Sequence, residues 1–272
     1  MNDRAAAAEL SPFVRRAVDA RGVVTLTLDR PQSFNALSEG MLAGLQAALD
    51  AIAIDEHVRV VVLAASGKAF SAGHDLKEMR AAPSQRYYEA LFAQCARLML
   101  TIQRLPVPVI ARVQGIATAA GCQLVSMCDL AVAADTARFA LPGVNIAVFC
   151  STPAVGVVRS VGRKRAMEML LTGTPIDAAT ALDWGLVNRV VPDEHLDTEV
   201  DELARAILAH SAPVIANGKR TFYAQIDQPL DTAYAVAADA MVRDLSALDA
   251  AEGIDAFLEK RTARWPSTRG GD

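Results

Sequence analysis

Apolar positions along this chain fall into two kinds of pattern. Between Glu39 and Ile54 they recur three and four residues apart, at Met41, Leu42, Leu45, Leu49 and Ile52, behind a serine at position 38. That spacing places them on one face of a helix, and Ser38 is a suitable N-cap. VRVVVLAA (58–65), VIARV (109–113) and LAVAAD (130–135) are instead near-continuous apolar runs. Such runs predict strands buried on both faces, as in parallel sheets. VRRAV and VVTLTLD flank a turn containing Gly22 and predict a β-hairpin whose second strand ends before Pro31.

Further along, a long helix is predicted over about 84–105, stopped by Pro106 and Pro108. Arg163 to Gly173 reads as an amphipathic helix closed by its glycine, DAATALDWG as a short helix, and LVNRVV as a last strand. Beyond Asp193 the pattern is helical, with breaks at Pro213 and Pro229. The order buried strand, small-residue loop, helix recurs. It predicts an α/β winding in which strand ends feed loops into helix N-termini.

The chain has 272 residues, 52% of them hydrophobic, enough for one large domain or a domain with an appendage. A net charge of -4 and the lack of any dense basic stretch exclude nucleic acid as the expected partner. No apolar run is long enough to predict a membrane span. The opening MNDRAAAAELSPF carries Asp3 and Glu9 and reads as a frayed terminus, not a secretory signal. Cys95, Cys122, Cys128 and Cys150 form no C-x-x-C pair and no metal-like spacing with histidine. A reduced, cytoplasmic protein without a metal is the expectation.

Two stretches carry candidate chemistry. In the first, Gly67, Ala69, Ser71, Ala72 and Gly73 lie between a buried strand and a helix. Backbone N–H groups there can point at a ligand oxygen, or the stretch is a plain strand-to-helix turn. The second, GIATAAGCQLVSMCDL from Gly115, repeats the design after VIARV. Two such corners can supply two convergent N–H donors, the arrangement of an oxyanion hole. Gly67-Lys68 lacks the partners of a phosphate loop, since position 62 is Val and position 69 is Ala. AFSAG imitates a nucleophile elbow around Ser71, but Ser66-Gly67-Lys68 separates that serine from its strand. His57, His195 and His210 read as solvated; His74 enters the corner through its backbone.

AFSAGHDL and VQGIATAAGCQLVSMCDLAVAAD resemble the two oxyanion motifs of the crotonase family, the enoyl-CoA hydratases and isomerases. The likeness continues through LTLDRPQSFNAL, RFALPGV, LLTGTPIDAATALDWGLVNRVV and AFLEKR. It implies a spiral of ββα units over 1–200 and a helical C-terminal region over 201–272 that forms trimers, often stacked as hexamers. It further implies an acyl-CoA substrate and no permanently bound cofactor, coenzyme A arriving as part of the substrate. By resemblance the oxyanion donors are the N–H groups of His74 and Ala120, with alanine at 119 and 120 narrowing a pocket that more usually has glycine. Contacts to CoA fall on Gln32, Ala36, Ala72, His74, Leu76 and Lys77. Phe257 and Lys260 approach the nucleotide end, from the same or a neighbouring subunit.

The same carry-over places the two glutamates of the family's hydratases at Gln123 and Gly143. An amide exchanges no proton near neutral pH, and glycine has no side chain. Each missing acid–base group costs about a hundred- to ten-thousandfold in rate, so ordinary hydration is not expected. Isomerisation, thioester hydrolysis, decarboxylation and non-catalytic acyl-CoA binding stay open. Cys150 reads either as a small buried apolar group or as a thioester-forming nucleophile in need of a base. Gln123 either orients water or substrate, or is a satisfied core amide.

Overall fold

The computed structural model describes residues 12–268. The N-terminal stretch up to residue 11 lies outside the described residues. A hairpin of β1 (Val14–Val18) and β2 (Val23–Leu28) opens the fold, as its sequence predicts, and α1 (Glu39–Ala53) follows. Ser38 caps α1, its hydroxyl accepting the Met41 N–H at 3.2 Å. Next come β3 (Val60–Ala65), β4 (Ala69–Ser71), α2 (Leu76–Ala81) and α3 (Gln85–Arg104). The chain continues with β5 (Val109–Val113), β6 (Ile116–Thr118), α4 (Ala120–Met127), β7 (Leu130–Ala134) and β8 (Arg138–Ala140). After a 3-10 turn at Pro142–Ile146 come α5 (Ser151–Val161), α6 (Arg163–Thr172), β9 (Ile176–Asp177), α7 (Ala178–Trp184) and β10 (Arg189–Val191). The remainder is helical: α8 (Leu196–Leu208), α9 (Ala212–Gln225), α10 (Leu230–Leu245) and α11 (Leu248–Leu258).

The strands form two sheets. One has the order β1-β2-β3-β5-β7-β10 and is parallel except at the β1–β2 edge. The other has the order β4-β6-β8-β9, antiparallel only between β8 and β9. Three turns of the chain, β3-β4, β5-β6 and β7-β8, place one strand in the first sheet and one short strand in the second before entering a helix. This is the expected ββα spiral. The second sheet is not legible in the apolar pattern, because its strands span only two or three residues.

The first sheet is covered on both faces, which accounts for the unbroken apolar runs of β3, β5 and β7. On one side Met41, Leu45, Leu49 and Ile52 of α1 and Leu91, Leu98 and Ile102 of α3 join Leu26, Val61, Leu63 and Val109 in the main core. On the other, Leu196, Val200 and Ala204 of α8 pack on Val60, Val62, Ile110 and Val132. The helical tail is interrupted beside both prolines, as the sequence predicts, at 209–211 and at 226–229. Pro213 lies in the first turn of α9 and Pro229 immediately precedes α10, where a missing N–H costs nothing. The tail helices leave Leu230, Tyr234, Met241, Val242, Leu245, Leu248 and Leu258 largely exposed, an apolar surface that this chain alone does not cover.

Candidate functional site

The two corners meet. The first runs from β3 through β4 to Asp75, which caps α2 by accepting the N–H groups of Lys77 and Glu78. The second runs from β5 through β6 to Ala119 and the start of α4. β4 and β6 pair in parallel, which sets one corner against the other. A methyl group at Gly115 would overlap the Lys68 carbonyl oxygen, and one at Gly121 the Ser71 carbonyl oxygen. At Gly73 it would lie 2.9 Å from the Ala119 Cβ and 3.1 Å from the Ala120 nitrogen. These glycines are therefore demanded by corner-on-corner packing, and not only by the approach of a ligand.

The backbone conformation is unusual in both corners. Gly73 has φ +85° and Ala119 has φ +49°, ψ −120°, a region alanine enters only under strain. The Ala119 N–H goes to the Ala140 carbonyl at 2.9 Å and the Gly73 N–H to Ser71 Oγ at 3.3 Å. The next N–H in each corner, that of Ala120 and of His74, has no acceptor among the described residues.

His74 also brings a ring that the sequence left unassigned. Its Nδ1 lies 3.3 Å from the Leu37 carbonyl oxygen. A carbonyl can only accept, so Nδ1 carries the proton and Nε2 is a bare lone pair. Nε2 is buried and unpartnered, and the ring meets Phe92 edge-on at 5.5 Å. Burial pulls the imidazole below its ordinary pKa, partly opposed by the Leu37 carbonyl, so the ring is neutral at pH 7.

Gln123 lies three residues beyond Ala120, on the face of α4 whose side chains lean back toward the helix start. It is 5% exposed, and its Oε1 is buried without a partner. Gly143 lies within the 3-10 turn, and the chain folds over it. Val148 donates its N–H to the Gly143 carbonyl at 3.0 Å, a methyl at Gly143 would overlap the Val148 carbonyl oxygen, and Cys150 Sγ would be 2.8 Å from it. The space that a side chain at 143 needs is filled. Cys150 is buried at the start of α5; burial pushes its thiol up, against a smaller opposing effect of the Gly143 N–H. A thiol held protonated is a poor nucleophile, which favours the packing role.

Ser71 is fully buried, with its hydroxyl donated to the Asn35 carbonyl at 2.9 Å, so it has no route to a substrate. Two residues missed in the sequence brace the corners. Asn35, at φ +52°, donates from Nδ2 to the carbonyls of Ser66 and Ala69, both at 2.8 Å. Gln114 Nε2 reaches the carbonyls of Ala65, Gly67 and Ala69 at 3.0–3.1 Å. An asparagine beside a turn was the one available signal for Asn35, since Asn tolerates the left-handed region.

Of the expected CoA contacts, Ala36, Ala72 and His74 come together. Ala72 donates to the Phe34 carbonyl at 3.0 Å, and Leu37 to the Gly73 carbonyl at 2.8 Å. Leu76 and Lys77 are exposed on the first turn of α2, and Gln32 is exposed in the turn Pro31–Ser33. Phe257 and Lys260 lie at the end of α11, whose main packing partners are α10 and the turn Pro266–Thr268. Among the described residues no cluster of His, Cys, Asp and Glu could hold a metal ion, and no helix is long and apolar enough to cross a membrane.

Residues 19–268 match the family model for enoyl-CoA hydratase/isomerase. The mitochondrial enoyl-CoA hydratase domain-containing protein 3 of Rattus norvegicus is 46% identical, over 96% of this chain and 87% of the relative. A probable mitochondrial enoyl-CoA hydratase of Dictyostelium discoideum is 34% identical, over 93% of this chain and 91% of the relative. Among solved structures, an enoyl-CoA hydratase of Mycobacterium smegmatis has a TM-score of 0.93 and 58% identity, covering 94% of this chain and 99% of that one. Human enoyl-CoA hydratase domain-containing protein 3 has a TM-score of 0.90 and 45% identity, covering 93% and 100%. The names of the curated relatives correct the expectation of a cytoplasmic protein: they point to mitochondria, and cysteine usage cannot tell one reducing compartment from another. The family model, the relatives and the fold agree, and the chain belongs to the enoyl-CoA hydratase/isomerase family.

Proposed function

We propose that the facing corners hold the carbonyl of an acyl-CoA thioester and stabilise the negative charge that develops on its oxygen. His74 and Ala120 supply the donors through their backbone N–H groups. The observation that carries this reading is that these two N–H groups, on corners packed together, both lack an acceptor among the described residues. Fixed donors of this kind stabilise an enolate without reorganising as it forms. In this reading Gln32, Ala36, Ala72, His74, Leu76 and Lys77 contact CoA. Phe257 and Lys260 reach its nucleotide end from a neighbouring subunit of a homotrimer or a hexamer. The apolar faces of α10 and α11 are the support for that assembly. Residues 1–200 form the acyl-CoA core and 201–272 the assembling region. No permanently bound cofactor is required.

Ordinary hydration fits poorly. Gln123 cannot relay a proton, and the place for a second carboxylate is closed by Val148 and Cys150. The site suits enolate chemistry that draws less on protein acids and bases, such as isomerisation, thioester hydrolysis or decarboxylation. The closed flank at Gly143 equally favours a second reading, a non-catalytic acyl-CoA binder. Calorimetric titration with short acyl-CoAs, followed by a turnover screen of the thioesters that bind, separates the two. Ala120→Pro removes one donor at a helix position that tolerates proline. Binding and turnover of an acyl-CoA undiminished in a folded Ala120→Pro protein refutes the donor assignment.

A further inference from the structure

We propose that Ser71 is the positioning residue of the His74 donor, coupling the segment 34–37 to the turn that presents the free N–H. The proposal rests on the reading that the corners polarise a thioester carbonyl. Ser71 ends β4 and is fully buried. Its single hydroxyl proton goes to the Asn35 carbonyl at 2.9 Å, which leaves its lone pairs to accept the Gly73 N–H at 3.3 Å. Its own carbonyl faces Gly121 at the start of α4. One residue thus touches the segment beside the CoA contacts, the first corner and the helix of the second corner.

The peptide groups leading to His74 are all spoken for. The Ala72 N–H goes to Phe34, the Ala72 carbonyl accepts Thr118 Oγ1 at 3.2 Å, the Gly73 N–H goes to Ser71 and the Gly73 carbonyl accepts Leu37. His74 carries the first donor in this run that remains free. Of the four bonds, only those of Ser71 and Thr118 come from side chains, so only they can be deleted without rebuilding the backbone. The far anchor is rigid, because Asn35 is held by Ser66, Ala69 and, through its Oδ1, the Arg30 N–H at 2.8 Å. Removing the Ser71 hydroxyl strands the Asn35 carbonyl and the Gly73 N–H together. The Gly73 peptide, already at φ +85°, is then free to turn, and the His74 N–H loses its aim.

A conjugated dienoyl-CoA serves as the probe, because its absorption moves to the red when the thioester carbonyl is polarised, whether or not turnover follows. Wild-type protein is expected to bind 2,4-hexadienoyl-CoA with a red shift. Ser71→Ala is expected to bind within about tenfold of wild type, one hydrogen bond being the difference, yet to lose half or more of the shift. Ser71→Cys, which keeps a weak donor and acceptor, is expected between the two. A merely structural role would lower binding and shift together. A folded Ser71→Ala with the full shift overturns the proposal. Should Ser71→Ala fail to fold, a Ser71→Cys protein with the full shift overturns it equally. A wild type that binds the probe without any shift, or does not bind it, overturns the polarising site itself and Ser71's role with it.

Discussion

The ammonium group of Lys219 lies 2.6 Å from the carboxylate of Asp129, and it is 6% exposed. Its two other protons go to the carbonyls of Ile102 and Val107, both at 2.9 Å. Asp129 in turn accepts the Val109 N–H at 2.7 Å and the Tyr223 hydroxyl at 2.8 Å. Every donor and acceptor of the pair is used, and the cluster fastens α9 to the end of α3 and the entry of β5. Burial pulls the Lys219 pKa down and Asp129 partly restores it. Lys219→Met leaves a buried carboxylate without its counter-charge and should cost about 3–5 kcal/mol of stability. Tyr223→Phe removes one of several partners and should cost about 1–3 kcal/mol. Urea denaturation of the two variants checks the order.

Gly143→Ala should destabilise by about 1–3 kcal/mol, because the added methyl overlaps the Val148 carbonyl in a packed turn. The same obstruction decides a catalytic test. Wild type should hydrate a short trans-2-enoyl-CoA slowly, and Gln123→Glu should raise the rate by about a hundredfold, the contribution of one acid–base group. Adding Gly143→Glu should bring no further gain. The loss of enoyl-thioester absorbance measures all three proteins. A double variant well above the single one would show that the loop yields.

Ala119 offers a stability test in the opposite direction. Its φ of +49° with ψ −120° suits glycine. Ala119→Gly should be neutral or stabilise by about 1 kcal/mol, the relieved strain exceeding the entropy of glycine. Ala119→Val should be strongly destabilising. Paired thermal melts separate these outcomes.

The buried His74 predicts a pH dependence with a definite sign. Burial holds its folded pKa below the ordinary 6.5 of a histidine, so the unfolded chain takes up the proton first as pH falls. The contribution of the neutral ring is complete above about 6.5 and is lost as pH drops through the folded pKa. Wild type should therefore weaken between pH 7 and pH 5 more than His74→Phe does. Denaturation midpoints at both pH values give the comparison. Equal losses would show that the ring titrates normally.

How far the sequence could be read follows from range. The hairpin, α1, α3 and the long strands have five or more residues in which a period can appear, and the structure has them where the pattern predicts. β4, β6, β8 and β9 have no room for a period, so they pass as loop until pairing reveals them. The corners were visible as glycine-rich strand exits, but what presses on those glycines was not. The bracing hydrogen bonds of Gln114 and Asn35 span 31 to 49 residues. No local pattern records such distances. The resemblance to the family placed a carboxylate position at Gly143; that the space there is taken depends on the course of a loop five residues on.

That loop decides what position 143 can accept. A glutamate introduced at 143 meets a site already filled by the Val148 carbonyl and Cys150 Sγ. Placing a carboxylate there requires the side chain and the path of residues 144–150 to change together. An engineer wishing to restore two carboxylates should transplant the whole segment from Leu141 to Ser151 as one unit.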